Sequence, residues 1–183
     1  QLVNATLASI AAGDMHARLG GIPHASAEYV ERIRAGLSAV QWPARLQKMQ
    51  DSPPVYLDGA ITLSSSLSLL PRLPNTSPPP IISIVAIPDD KDYAGVYAVL
   101  GPISDALILT ETDRNNILSF LPVEDALNTA RAHNDNVSHT TRLEDALEKA
   151  KTLAGTEGTI LIIGTQSILA DAILLWNCSY EVI

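Results

Sequence analysis

The chain has 183 residues, 46% hydrophobic and 17% charged, with only 5 Tyr, 2 Trp and 1 Phe. That length matches roughly one domain of 100 to 200 residues with or without an appendage, and the Leu, Ile, Val and Ala content excludes a disordered chain. Twelve Lys+Arg against 20 Asp+Glu give a net charge of −8 with the basic residues scattered, so no stripe can track a phosphate backbone and nucleic acid is not an expected partner.

From Leu2 to about Leu19, apolar residues at Val3, Leu7, Ile10, Ala11 and Met15 keep a helical spacing, and Gly20-Gly21-Ile22-Pro23 ends it. Ser26 can cap a second helix with Val30, Ile33, Leu37 and Val40 on one face, and Trp42-Pro43 forbids its continuation. Beyond that point the pattern alternates. Short apolar runs at 55–57, 81–87, 106–109 and 159–163 predict strands, with a further short strand over 137–140. Helical patterns separate them. Pro122 opens one with Val123, Ala126, Leu127 and Ala130 inward. A capping box of Thr141 and Glu144 opens another, with Leu143, Ala146, Leu147, Ala150, Leu153 and Ala154 on one face. The Pro-rich stretch 71–80 is a surface connection. Alternation of this kind predicts βαβ units and a largely parallel sheet over 41–183, preceded by a helical segment over 1–40.

The most apolar stretches, 159–163 and 168–176, are too short for a bilayer, and Asp171 interrupts the second. Membrane insertion is therefore not expected. A single Cys178 offers no intrachain disulfide and favours a reducing, intracellular setting. Sequons at Asn4, Asn75, Asn136 and Asn177 point the other way but are common by chance. The chain opens on Gln, in what reads as helix, so a piece of a longer protein is expected.

In open parallel sheets, ligands bind beyond the carboxyl ends of the strands, where helix N-termini present free N–H groups. Four polar segments fall there: 58–60, 88–92, 110–112 and 164–167. Helix capping explains each of them singly; together they make a rim for a polar small molecule. The sharpest local feature is Arg45 and Asp58, thirteen positions apart, the second at a strand end. A guanidinium can fork onto phosphate while a carboxylate accepts from ribose hydroxyls. A surface ion pair of little energetic weight is the alternative.

Six segments, in order, carry a resemblance: Gln1-Leu2-Val3-Asn4-Ala5, Trp42 to Gln47, Leu57 to Ala60, Asp90-Lys91-Asp92-Tyr93-Ala94-Gly95, Ile108-Leu109-Thr110, and Gly164 to Leu169. They resemble H-Q-x-x-N-A, W-P-G-R-L-Q, L-D-G-A-H-N-P, D-K-D-x-x-G, I-L-T and G-S-x-x-L of the folylpolyglutamate synthase/dihydrofolate synthase family of Mur-type ligases. The resemblance implies an α/β fold of the Mur ligase C-terminal type, a Rossmann-like, mostly parallel sheet flanked by helices and preceded by two helices. By the same resemblance, residues 1–40 are the helical tail of a central ATPase domain and 41–183 the C-terminal ligase domain. The implied activity is ATP-dependent ligation of L-glutamate to dihydropteroate or folate through an acyl phosphate, within folate and one-carbon metabolism, in cytoplasm or mitochondrion. Asn4, Arg45 and Asp58 are the implied ATP contacts. Lys91 with Asp90 and Asp92 is assigned to loop structure first. His16, His24, His133 and His139 match no family position and read as solvated.

Two departures qualify the resemblance. Ile61-Thr62-Leu63 stands where the family has His-Asn-Pro, so no catalytic residue is assigned. No G-x-x-x-x-G-K-[ST] loop occurs, so the chain by itself is expected to be inactive, with Mg²⁺ held mainly by an upstream domain. The alternatives are a catalytically silent, nucleotide-binding or interaction module, and a phosphoacceptor receiver domain. The second fails on order: its acidic pair should precede, not follow, Asp58.

Overall fold

The computed structural model describes residues 2–21, 26–40, 42–73, 80–112 and 117–178, with the side chains of Leu2 and Val3 left aside. The chain divides into two compact units, Gln1–Trp42 and Pro43–Ile183.

The first unit is two helices, α1 (Leu2–Arg18) and α2 (Ala27–Ala39). The Ser26 hydroxyl accepts from the Tyr29 N–H at 3.1 Å, the predicted cap, and the Tyr29 hydroxyl donates to the Ser9 carbonyl at 2.7 Å. Gly20, at φ 77°, takes the left-handed conformation that ends α1; Ile22 and Pro23 of the predicted stop, like His24, lie outside the described residues. Leu7, Ile10 and Met15 on α1 and Val30 and Leu37 on α2 are exposed. The apolar faces exist as the periodicity predicts, but they are uncovered.

The second unit is an α/β sheet domain: β1 (Arg45–Asp51), β2 (Pro54–Asp58), α3 (Leu63–Leu69), β3 (Ile81–Ala86), α4 (Tyr93–Leu100), β4 (Ala106–Leu109), α5 (Val123–Arg131), β5 (Val137–His139), α6 (Leu143–Ala154), β6 (Thr159–Gly164) and α7 (Gln166–Leu174). Its six strands run in the order β1-β2-β6-β3-β4-β5. β1 pairs antiparallel with β2, and every other pairing is parallel. Alternate strand residues feed two cores. Ile82, Ile84, Ile108, Ile160 and Ile162 pack with Leu147, Ala150, Ile168 and Leu169 of α6 and α7; Val85, Leu107, Leu109, Leu161 and Ile163 pack with Leu69, Val96, Leu100 and Leu127 of α3 to α5. Strands buried on both faces read as continuous apolar runs, which is why their positions are legible in the sequence.

Topology fixes where a ligand can enter. The connections leaving β2, β3 and β4 run through α3, α4 and α5 on one face, whereas β6 lies between β2 and β3 and leads into α7 on the other. Diverging connections of this kind open a crevice at the carboxyl ends of neighbouring strands. Register puts Asp58 beside Ile163 and Ala86 beside Gly164, so three adjacent strands end at one level, about 4.8 Å apart.

Two local expectations are corrected. β1 is absent from the predicted strands because Arg45-Leu46-Gln47-Lys48-Met49-Gln50-Asp51 has neither an apolar run nor clean alternation; it is an edge strand with two register shifts. The predicted capping box of Thr141 and Glu144 does not form. α6 begins at Leu143, 4% exposed, behind Arg142, which makes no side-chain cap. Burying Leu143 in the first turn sets the start, and Glu144 faces Arg142 at 3.6 Å instead. Among the described residues, no helix is long and apolar enough to cross a membrane.

Candidate functional site

Arg45 and Asp58 are cross-strand neighbours at the open end of the β1–β2 pair. Between Arg45 and Gln47 the register slips by one, so Leu46 is an extra residue opposite the end of β2. Bulges of this sort bend a strand and re-aim its side chains. Here Ala44 and Leu46 both adopt left-handed backbone, at φ 52° and 53°, a conformation that side chains with a Cβ avoid. The turn is tied down on every side. The Ala44 N–H donates to Gln47 Oε1 at 2.8 Å, and the Leu46 N–H donates to Asp58 Oδ2 at 2.7 Å. The Ala44 carbonyl accepts from both the Gly59 N–H and Arg45 Nη1, each at 3.1 Å.

The sequence reading left open an Arg45–Asp58 ion pair. Instead, the guanidinium bonds to the Ala44 carbonyl and the carboxylate to backbone. Arg45 lies over Gly59, where a Cβ would collide with Nη1. Asp58 is 5% exposed. Burial pushes its carboxyl above the usual carboxylate range, against the pull of the Leu46 N–H, Arg45, Arg72 and the Ala60 N–H. Sequence reasoning missed Arg72. It closes the short helical turn after α3 and brings a second positive charge to Asp58, but its place in a Pro-rich connection gives no signal.

The rest of the rim is mostly structural. Asp92 caps two helices: Oδ2 accepts from the Leu63 N–H of α3 at 2.7 Å and Oδ1 from the Gly95 N–H of α4 at 3.1 Å. Lys91 binds Asp90 at 2.8 Å, and Asp89 accepts from the Ser119 hydroxyl at 2.8 Å. Loop structure thus accounts for the 89–92 segment. Thr62 caps α3 in a reciprocal box with Ser65, while Ile61 packs against the α3–α5 core. Ile61, Thr62 and Leu63 therefore start a helix.

Thr165 precedes α7 but makes no side-chain cap; its hydroxyl, like that of Thr110, is buried without a hydrogen-bond partner. At the far edge, Thr112 donates to Asp171 at 2.6 Å and His139 faces Glu111 at 3.3 Å. His139, expected to be solvated, has a side chain only 15% exposed, because β5 seats it beside the Thr110–Thr112 rim. His133 is half-buried against Gly101 and His16 is exposed. Asn4 lies in the first unit, exposed on α1. Among the described residues no group of three or more His, Cys, Asp or Glu is placed to hold a metal.

A guanidinium held beside the carboxyl end of β2 is chemistry suited to an anionic group such as phosphate. The family described as "Mur ligase, glutamate ligase domain" matches residues 44–166. The folylpolyglutamate synthase of Lacticaseibacillus casei is 41% identical over 66 residues, 36% of this chain and 15% of that protein. The crystal structure of Mycobacterium tuberculosis folylpolyglutamate synthase complexed with ADP and AMPPCP superposes with a TM-score of 0.68 at 27% identity, over 81% of this chain and 35% of that one. For the fold alone, the bifunctional folylpolyglutamate synthase/dihydrofolate synthase of Yersinia pestis c092, complexed with AMPPNP and Mn, gives 0.64 at 22% identity over 84% and 35%. The chain thus spans about a third of the solved proteins it matches.

Proposed function

The chain belongs to the Mur ligase family by its glutamate ligase domain, and from that premise we propose that its protein is an ATP-dependent amide ligase joining L-glutamate to dihydropteroate or folate. ATP supplies the phosphoryl group that activates the carboxylate as an acyl phosphate; the glutamate amino group then attacks its carbonyl carbon, forming the amide and expelling inorganic phosphate. The observation that carries this reading is the Arg45 guanidinium. Among the described residues it is held beside the end of β2 by one carbonyl, leaving the remainder of its N–H fork for a ligand. A fixed cation with donors remaining fits a nucleotide phosphate. Asn4, Arg45 and Asp58 are the proposed nucleotide contacts, with Asp58 offering little surface.

Residues 1–40 are proposed to be the tail of a central ATPase domain, which the uncovered faces of α1 and α2 support. The phosphate loop and Mg²⁺ are assigned to that upstream domain, since no described residues here group to hold a metal and the sequence lacks a Walker-type loop. No metal step is derived. A second reading, a catalytically silent nucleotide-binding or interaction module, is favoured by one observation only: Ile61, Thr62 and Leu63 serve helix α3.

Two experiments test the proposal. The 183-residue chain alone is expected to show no ATP-dependent glutamate ligation, and single-turnover product formation by it would contradict the assignment of the phosphate loop elsewhere. In the full-length protein, Arg45→Ala should weaken productive ATP use by about 2–4 kcal/mol, the range for a charge-assisted contact in a closed site. Wild-type kinetics for ATP in that variant would remove Arg45 from the site.

A further inference from the structure

We infer that Asp58 is a positioning residue: through the Leu46 N–H it holds the left-handed Ala44–Leu46 turn, and that turn sets the Arg45 guanidinium over Gly59. The inference deepens the reading of Arg45 as a nucleotide ligand and rests on it, and it gives Asp58 a task in addition to the proposed contact.

The strut originates at the extra residue in β1. In an unbroken antiparallel ladder the N–H groups pair with the neighbouring strand or face outward. The slip between Arg45 and Gln47 leaves Leu46 without a residue of its own on β2. Its N–H turns to the Asp58 carboxylate at 2.7 Å, so a side chain replaces the missing ladder partner. Both residues flanking Arg45 have positive φ, which persists only where the surroundings over-determine it. Asp58 is the anchor that does so from inside the fold, being 5% exposed.

The consequence reaches Arg45 by two routes. The Ala44 carbonyl, turned by the left-handed backbone, grips Arg45 Nη1 and the Gly59 N–H together. Gly59 gives the guanidinium its seat, because a Cβ there would collide with Nη1. The last residue of β2, Asp58, is thus the strut, and the next residue, Gly59, the seat.

The test is a double-mutant cycle in the full-length protein, reading KM for ATP against kcat, with hydrogen exchange of the Leu46 amide measured alongside. Asp58→Ala and Arg45→Ala should each raise KM for ATP by about a hundredfold, and the double variant should fall well short of the product of the two, because losing the strut already displaces the Arg45 contact. Asp58→Ala should also deprotect the Leu46 amide by at least about tenfold, which Arg45→Ala should not do. Asp58→Asn, which keeps an oxygen acceptor, should restore part of KM and most of the protection. It replaces Asp58→Ala in the cycle should the latter fail to fold. Multiplying effects on KM would overturn the inference in favour of independent nucleotide contact, and unchanged Leu46 exchange in Asp58→Ala would overturn the strut. If Arg45→Ala alone left KM unchanged, the nucleotide reading would fall, and the exchange result would still decide what Asp58 holds.

Discussion

Asp58 ends β2 and Asp92 follows β3 in the same sheet, and both accept hydrogen bonds from backbone N–H groups, yet they have opposite surroundings. Asp92 is exposed and divides its two oxygens between the first turns of α3 and α4. Asp58 is buried, spends Oδ2 on a left-handed residue beside Arg45, and lies within the field of two arginines. The difference separates two uses of a strand-end carboxylate. One starts helices, as any such carboxylate can. The other pins a strained turn that presents a cation to the crevice, and strain retained at one spot is a pointer to function.

The largest test of this contrast is Asp58→Ala. Leaving the Leu46 and Ala60 N–H groups unpaired should lower stability by about 1–3 kcal/mol in chemical denaturation, in addition to the loss of ATP use. A group read from sequence as lying on the rim would leave stability unchanged; burial reverses that expectation. Replacing Ile61, Thr62 and Leu63 together by His, Asn and Pro comes next. Asn caps as well as Thr, but Pro at 63 removes the N–H that Asp92 accepts. His in the half-buried slot of Ile61 adds a polar group, so stability should fall by about 1–3 kcal/mol with little gain in turnover. Turnover restored from nothing would instead favour the silent-module reading. Asp92→Ala should cost about 1 kcal/mol, shared between two helix starts, with KM for ATP unchanged. A KM effect as large as that of Asp58→Ala would erase the distinction between the two carboxylates.

The smallest effect is in the pH dependence. Because the folded state raises the Asp58 carboxyl above its usual range, the native protein holds that proton more tightly than the unfolded chain does. Stability from this group is full below the unfolded value and declines as pH rises through the folded one. Asp58→Asn should flatten the decline relative to wild type in urea titrations on the acidic side of neutrality. An unchanged slope would mean that burial does not dominate this carboxyl.

What the sequence made legible follows burial. β2, β3, β4 and β6 are apolar runs bounded by polar rims, and α5 and α6 carry inward stripes, so strand and helix positions could be read directly. The rim itself was also readable, since Asp58 ends a strand and Asp92 and Thr165 each follow one. Their division of labour was not. Which carboxylate caps helices and which holds a turn depends on the slip at Leu46, and no residue type announces a bulge in a polar edge strand. The approach of Arg72 to Asp58 was invisible for a similar reason: it arises from the turn after α3 bringing position 72 back toward the end of β2. The faces of α1 and α2 show the reverse case, where periodicity was plain and the described residues leave the apolar side chains exposed.

The central claim, that this domain serves a working ligase, is tested most directly by phosphate release from the unmodified full-length protein. With ATP, L-glutamate and a pteroate or folate substrate together, release should rise well above the rate with ATP alone and should need both co-substrates. A rate no higher than with ATP alone would contradict the enzyme reading and leave the nucleotide-binding module in its place.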